Sequence, residues 1–234
     1  VSIKQPKEGV WVIDFGQNIA GWVRFKVQGP EGQLIVLRYS EILHPDGTIN
    51  QDHLKAAENY GSPLPMQTDV YRLSGIGVEE FDCHFTYHGF RYVQVEGLPY
   101  APLPDDFIAC VVRSSVAQIG YFECGNDLIN RIQRNILWGE STNLHGIPTD
   151  CPQRDERMGW LNDMTARYEA ALYNFHMVRL YEKWAQDISD AQDPVCGSIP
   201  DTAPRKRGHS PADPCTSSYL LTAKGLYDHY GDLR

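Results

Sequence analysis

Between residues 10 and 113 the chain alternates short apolar stretches with turn residues. Val10-Trp-Val-Ile-Asp-Phe15, Trp22-Val-Arg-Phe-Lys-Val27 and Leu34-Ile-Val-Leu-Arg-Tyr39 are rich in β-branched and aromatic residues. They step from apolar to polar with a partial period of two, the spacing of a strand covered on one face. The stretches 68–73, 80–85, 92–96 and 107–112 continue the series. Gly29-Pro30, Pro45-Asp46-Gly47 and Gly97-Leu98-Pro99 punctuate it with turn chemistry. Many short strands with no helical stretch among them predict an antiparallel β-sandwich over residues 1–114. Residues 48–67 show no clean period and predict a long loop over the sandwich face.

After Ser115 the period becomes that of a helix. Asn126 is a fitting N-cap, and Leu128, Ile129, Ile132, Ile136 and Leu137 recur at helical spacing, predicting a helix over 126–144. A longer pattern predicts one continuous helix over 160–192, with Leu161, Met164, Tyr168, Leu172, Phe175, Tyr181, Trp184 and Ile188 on its buried side. Residues 194–214, rich in Pro, Gly, Asp and Ser, predict a loop, and a third helix is expected over 216–230. The fold class is therefore α+β in two parts, with 115–234 forming a second, helical domain. Three helices with broad apolar faces barely enclose a core. Open faces of that kind predict a homo-oligomer, a swapped arrangement or poor solubility.

Composition narrows the function classes. The formal net charge is −9 and charged residues make up 22%, so a nucleic-acid partner is not expected. No apolar run approaches the roughly 20 residues that span a bilayer, and no signal-peptide pattern opens the chain. The first residue is Val1 rather than Met, within a strand-like stretch, which suggests an excised or processed piece. Six cysteines at 83, 110, 124, 151, 196 and 215 lie far apart with no C-x-x-C pair. That dispersal predicts buried, mostly free thiols and a cytoplasmic location. His84, His88 and His145 form no ligand set with nearby acids, so neither a metal nor a cofactor is expected. Trp11 and Trp22 are expected in the sandwich core, and Arg205-Lys206-Arg207 in a solvated loop.

One stretch differs chemically from the rest: Asp150-Cys-Pro-Gln-Arg-Asp-Glu-Arg-Met-Gly-Trp-Leu-Asn-Asp163. It gathers Asp150, Asp155, Glu156 and Asp163 with Arg154, Arg157 and Trp160 in the connection between two helices, where function tends to sit. Crowded carboxylates raise one another's pKa, which a general acid near neutral pH requires. Trp160 and Asp163, three apart at a helix start, share a face. An aromatic ring beside carboxylates and guanidinium groups suits an apolar sugar face and its hydroxyls. A helix N-terminus favours acids in any case, so a cap with surface ion pairs explains the same residues. Asp201, in the following loop, is a further candidate to border a pocket.

The stretch 150–160 closely resembles the catalytic signature of bacterial α-L-rhamnosidases, glycoside hydrolase family 78. Asp14-Phe-Gly-Gln-Asn-Ile-Ala-Gly-Trp22, Tyr39-Ser-Glu-Ile-Leu-His-Pro-Asp-Gly47, Asp69-Val-Tyr-Arg-Leu73 and Phe85-Thr-Tyr-His-Gly-Phe-Arg-Tyr92 resemble that family's concanavalin-like sandwich. The resemblance covers nearly the whole chain in the family's order. It implies an inverting hydrolase of rhamnose-containing glycosides with an (α/α)6 catalytic barrel, of which residues 115–234 would be the first, incomplete part. It also implies that Glu156 is the general acid and that Asp150, Arg154, Trp160 and Asp163 line the sugar pocket. The pattern favours Glu156 over its neighbour Asp155. Inversion needs a second carboxylate as base, about 6.5–9.5 Å from the acid. In the family that Glu lies far downstream, beyond these 234 residues. A non-catalytic carbohydrate-binding or scaffolding remnant is the alternative reading.

Overall fold

One long strand, β2 (Val10–Val27), organises the first of two compact units, which comprises Val1–Val112 together with Cys151–Glu156. A computed structural model describes residues 1–54, 67–154, 156–205, 208–210 and 217–233. The other strands are β1 (Ser2–Lys7), β3 (Leu34–Ser40), β4 (Ile42–Leu43), β5 (Ile49–Asn50), β6 (Thr68–Arg72), β7 (Glu79–Asp82), β8 (His88–Glu96) and β9 (Phe107–Val111). The first part of β2 lies between β1 and β8, in the order β1-β2-β8-β3-β6. Its last part lies between β7 and β9. All these pairings are antiparallel, so the sandwich predicted from the period of two is present.

The two stretches 10–15 and 22–27 are one strand rather than two. Pairing with β8 runs from Val10↔Glu96 to Asp14↔Tyr92, is interrupted, and resumes at Ile19↔Phe90. Gly16, with φ +77°, sits in the interruption, in backbone conformation that glycine adopts without steric cost. The sequence showed the interruption but not the pairing that spans it. β1 extends the sheet to Ser2, ahead of the first stretch predicted.

Alternation along β2 buries Val23, Phe25 and Val27. The Phe25 ring meets Tyr71 at 5.7 Å, Phe81 at 6.0 Å and Phe107 at 6.1 Å. Each such aromatic side chain removes on the order of 150–250 Å² from water. Trp22 falls on the opposite phase and, like Trp11, is half-buried rather than in the core. Pro45-Asp46-Gly47 turns β4 back onto β5, with the His44 amide donating to the Thr48 carbonyl at 2.8 Å. Ile49 and Asn50 therefore belong to a hairpin, while residues 55–66 of the expected loop lie outside the described residues.

The second unit comprises Arg113–Asp150 and Arg157–Arg234. Its helices are α1 (Asp127–Thr142), α2 (Leu161–Asn174), α3 (Val178–Asp190) and α4 (Ser217–Tyr230). Asn126 caps α1, its side-chain oxygen accepting from the amides of Leu128 at 2.9 Å and Ile129 at 3.3 Å. The continuous helix expected over 160–192 is instead two helices, because Phe175 adopts an extended conformation (φ −132°, ψ 153°). Tertiary partners take up the backbone groups freed there. The His176 amide donates to the Ala117 carbonyl at 2.8 Å, and the Met177 amide donates to the Tyr230 hydroxyl at 2.9 Å. No Gly or Pro marks the break, so the local sequence could not announce it.

Leu161, Met164, Leu172, Phe175, Tyr181, Trp184 and Ile188 form the core of this unit, with Tyr168 partly buried against it. The apolar stripe of α1 behaves differently. Leu128, Ile129, Ile132 and Ile136 are exposed, and Leu137 alone of the five packs partly against the core. No helix among the described residues is long and apolar enough to cross a membrane. Among the described residues, Cys83, Cys110, Cys124, Cys151 and Cys196 form no disulfide with one another. Cys215, Lys206 and Arg207 lie outside the described residues.

Candidate active site

The acid-bearing stretch is divided between the units: Cys151–Glu156 belongs to the sandwich unit, and Asp150 and Arg157 onward to the helical one. Within the sandwich unit, Glu156 is 8% exposed. One carboxylate oxygen, Oε1, lies 3.3 Å from Nη2 of Arg154. The other, Oε2, lies 4.0 Å from Sγ of Cys151. A carboxylate taken that far from water needs a cation or donors beside it. Arg154 supplies one, so these two predicted site residues do come together. Asp155, the competing acid, lies outside the described residues.

Two contacts within the sandwich unit hold this segment. The side-chain amide of Gln67 donates to the carbonyl of Gln153. Gly89 of β8 lies so close to Gln153 that a Cβ there would meet its Cα, Cβ and N, each at 2.8 Å. Gln67 itself has φ 55°, the left-handed region that few residues other than Gly, Asn and Asp visit.

In the helical unit, Asp150 and Met158 exchange two bonds. The Asp150 amide donates to the Met158 carbonyl at 3.0 Å, and the Met158 amide donates to Asp150 Oδ1 at 2.8 Å. Arg157 has φ 49°, a conformation that costs on the order of 1–3 kcal/mol and is retained only where the surroundings impose it. Residues 159–161 then run beside 201–203. The Ala203 amide donates to the Gly159 carbonyl at 3.0 Å, Trp160 bridges Thr202, and the Leu161 amide donates to the Asp201 carbonyl at 2.9 Å. A Cβ on Gly159 would lie 2.2 Å from the Ala203 oxygen, so only glycine permits this approach. Trp160 is half-buried at the N-cap of α2, and Asp163 is exposed in its first turn. Asp201 Oδ2 accepts from the His209 amide at 2.6 Å, which gives that carboxylate a turn-holding role.

Two buried polar groups escaped the sequence reading. In the helical unit Glu140 pairs with Arg167 at 3.3 Å, and Arg167 also donates to the Thr149 carbonyl at 2.9 Å. Burial raises the Glu140 carboxyl, against the opposing pull of Arg167. In the sandwich unit His88 Nε2 lies 3.0 Å from Asp69 Oδ2, and the Tyr39 hydroxyl donates to the same oxygen at 2.7 Å. Burial alone would raise Asp69, but the bonds from His88 and Tyr39 outweigh it and hold the carboxyl below its ordinary value. Glu140 carries no local signal, since it follows a run of ordinary helix positions. His88 and Asp69 lie in stretches recognisable as motifs, but their mutual contact is not readable from spacing.

Residues 4–113 match the bacterial alpha-L-rhamnosidase concanavalin-like domain, and residues 117–234 match the bacterial alpha-L-rhamnosidase 6 hairpin glycosidase domain. The chain is 39% identical over 202 residues to an alpha-L-rhamnosidase of Streptomyces avermitilis, a match covering 86% of this chain and 19% of that protein. It is 40% identical over 190 residues to an alpha-L-rhamnosidase of Formosa agariphila, covering 81% of this chain and 20% of that one. Its fold matches the alpha-L-rhamnosidase from Dictyoglumus thermophilum with a TM-score of 0.92 at 43% identity, over 99% of this chain and 26% of that one. It matches the Streptomyces avermitilis alpha-L-rhamnosidase complexed with L-rhamnose with a TM-score of 0.89 at 37% identity, over 98% of this chain and 22% of that one. The chain thus spans about a fifth of the length of these curated relatives. With both domains matched in sequence order, the chain belongs to the bacterial α-L-rhamnosidase family.

Proposed function

We propose that the full-length protein hydrolyses terminal α-L-rhamnosides with inversion, and that Glu156 is the general acid that protonates the departing glycosidic oxygen. In this reading residues 1–114 are the sandwich module and 115–234 open the catalytic domain. The observation that carries the proposal is the burial of Glu156, a carboxyl 8% exposed at the acid position of a family signature. A general acid is worth about 10²–10⁴ in rate, and most where the leaving group is poor. Asp150, Arg154, Trp160 and Asp163 are proposed to hold the rhamnose. The indole would cover the apolar sugar face, and the charged groups would meet hydroxyls through directed hydrogen bonds.

The base that activates water from the opposite face is proposed to come from elsewhere in the full-length enzyme. The 234 residues by themselves are then expected to show no turnover. In the full-length enzyme, Glu156→Gln should cut turnover of alkyl rhamnosides by about 10²-fold or more and spare activated aryl rhamnosides. Proton NMR at early time should show β-L-rhamnose as the first product. Equal losses on both substrate types would remove Glu156 from the acid role, and α-L-rhamnose as first product would overturn inversion.

A further inference from the structure

We infer that Gln67, oriented by His88, is a positioning residue for Glu156, acting through the main chain of Gln153 within the sandwich unit. The inference rests on the proposed acid role of Glu156 and adds what sets that group's place.

The geometry begins with the Gln67 side chain, 3% exposed and able both to donate and to accept. Its nitrogen faces the Gln153 carbonyl, which can only accept. That fixes the amide so that its oxygen points to His88 Nδ1, 2.6 Å away, and that nitrogen must donate to it. His88 is fixed in turn by Asp69 at 3.0 Å and by stacking on Tyr39, with ring centroids 4.1 Å apart. The Gln67 backbone is pinned as well, its carbonyl accepting from the Tyr39 amide at 2.9 Å and from Gln51 Nε2 at 3.3 Å. Gly89, next to His88 on β8, leaves room for Gln153 and nothing larger than hydrogen between them.

A chain of buried, mutually satisfied groups therefore runs from a rigid strand to the residue three before Glu156. A sandwich that only bore the catalytic domain would not need a buried glutamine in left-handed conformation aimed at one carbonyl. Strained backbone of this kind persists where the surroundings over-determine it and tends to gather at functional sites. The segment it grips holds Arg154 and Glu156 in their 3.3 Å contact. Misplacement of a reacting group by about 1 Å can cost 10²-fold in rate.

The test uses the full-length enzyme with an alkyl and a nitrophenyl α-L-rhamnoside, and compares Gln67→Asn with wild type and with Glu156→Gln. Asn tolerates positive φ but is one methylene too short to reach the carbonyl. Gly89→Ala is the second variant, in case the first fails to fold. Expected for either is a fall in kcat on the alkyl substrate approaching about 10²-fold, a much smaller fall on the aryl substrate, and unchanged KM on both. A structural role alone would lower both substrates by the same factor, as a loss of folded enzyme does, and that outcome overturns the inference. If Glu156→Gln itself shows no leaving-group dependence, the acid role fails and the inference falls with it. If Glu156→Gln shows it and neither variant does, only the positioning role is wrong.

Discussion

Gln67 and Gln153 are 86 residues apart in sequence, yet the side-chain amide of the first donates to the main-chain carbonyl of the second. Through that bond the β-sandwich holds the segment carrying Glu156. The concanavalin-like part of the chain thus contributes more than bulk: it contains the supports of the acid segment, and Cys151–Glu156 packs as part of it.

Two glycine-to-alanine changes should move stability in opposite directions. At Gly89 the added Cβ would strike Gln153 backbone atoms at 2.8 Å, so the segment or the strand must shift. Overpacking of this kind costs about 1–3 kcal/mol. At Gly139, inside α1, nothing lies within 4 Å of the added carbon. There Ala should stabilise by about 1 kcal/mol through helix propensity alone. Urea unfolding of both variants checks the pair, and a stabilised Gly89→Ala would contradict the close approach.

Asp69 gives the sandwich a defined acid response. Its carboxyl is held below the ordinary value in the folded state, with burial opposed by the bonds from His88 and Tyr39. The unfolded chain therefore takes up this proton first as pH falls. The stabilisation is complete above about pH 4 and is lost as pH drops through the lower folded value. Asp69→Asn should be less stable than wild type at pH 7, with the gap closing toward pH 2. A gap that is constant across this range would assign the loss to packing instead.

The strands were readable because each alternates against a single core, and so was the helical half, where a period of 3.6 replaces that of two. Misreadings arose where distant partners decide. Phe175 interrupts a seamless apolar pattern because Ala117 and Tyr230 supply bonds that end one helix and start the next. The gap at Gly16 looked like a strand end because β8, which pairs on both sides of it, lies some seventy residues on. For the site, residue types at 150–163 and the family resemblance pointed to Glu156 and Arg154, and these two are in contact. The grip of Gln67 on Gln153 had no local signal, since neither residue type nor spacing announces a side chain aimed at a distant carbonyl.

The exposed stripe of α1 should make the 234-residue chain associate. Leu128, Ile129, Ile132 and Ile136 form an apolar ridge on one helix, and such ridges promote association. Light scattering is expected to show particles larger than one chain. Replacing Ile132 and Ile136 with Asp should shift the chain toward monomer without lowering its melting temperature. A wild-type chain that stays monomeric at high concentration would contradict this.

Trp184 ties the loop beside the start of α2 to the helical core. It is fully buried, and its indole N–H donates to the Ala203 carbonyl at 3.0 Å. Trp184→Phe should lose that bond and some volume, and should destabilise by about 1–3 kcal/mol. The loss should be accompanied by faster amide exchange at Ala203, whose N–H is bonded to Gly159. Unchanged exchange there would show that the loop is held by other contacts.

The role of Glu156 is tested most directly by the pH dependence of kcat/KM in the full-length enzyme, measured on an alkyl rhamnoside, whose poor leaving group needs the proton. A general acid must carry its proton, so its titration produces the alkaline limb of the profile. Wild type should show a bell, and Glu156→Gln should keep the acidic limb and lose the alkaline one. An alkaline limb that survives unchanged in Glu156→Gln would mean that another group donates the proton.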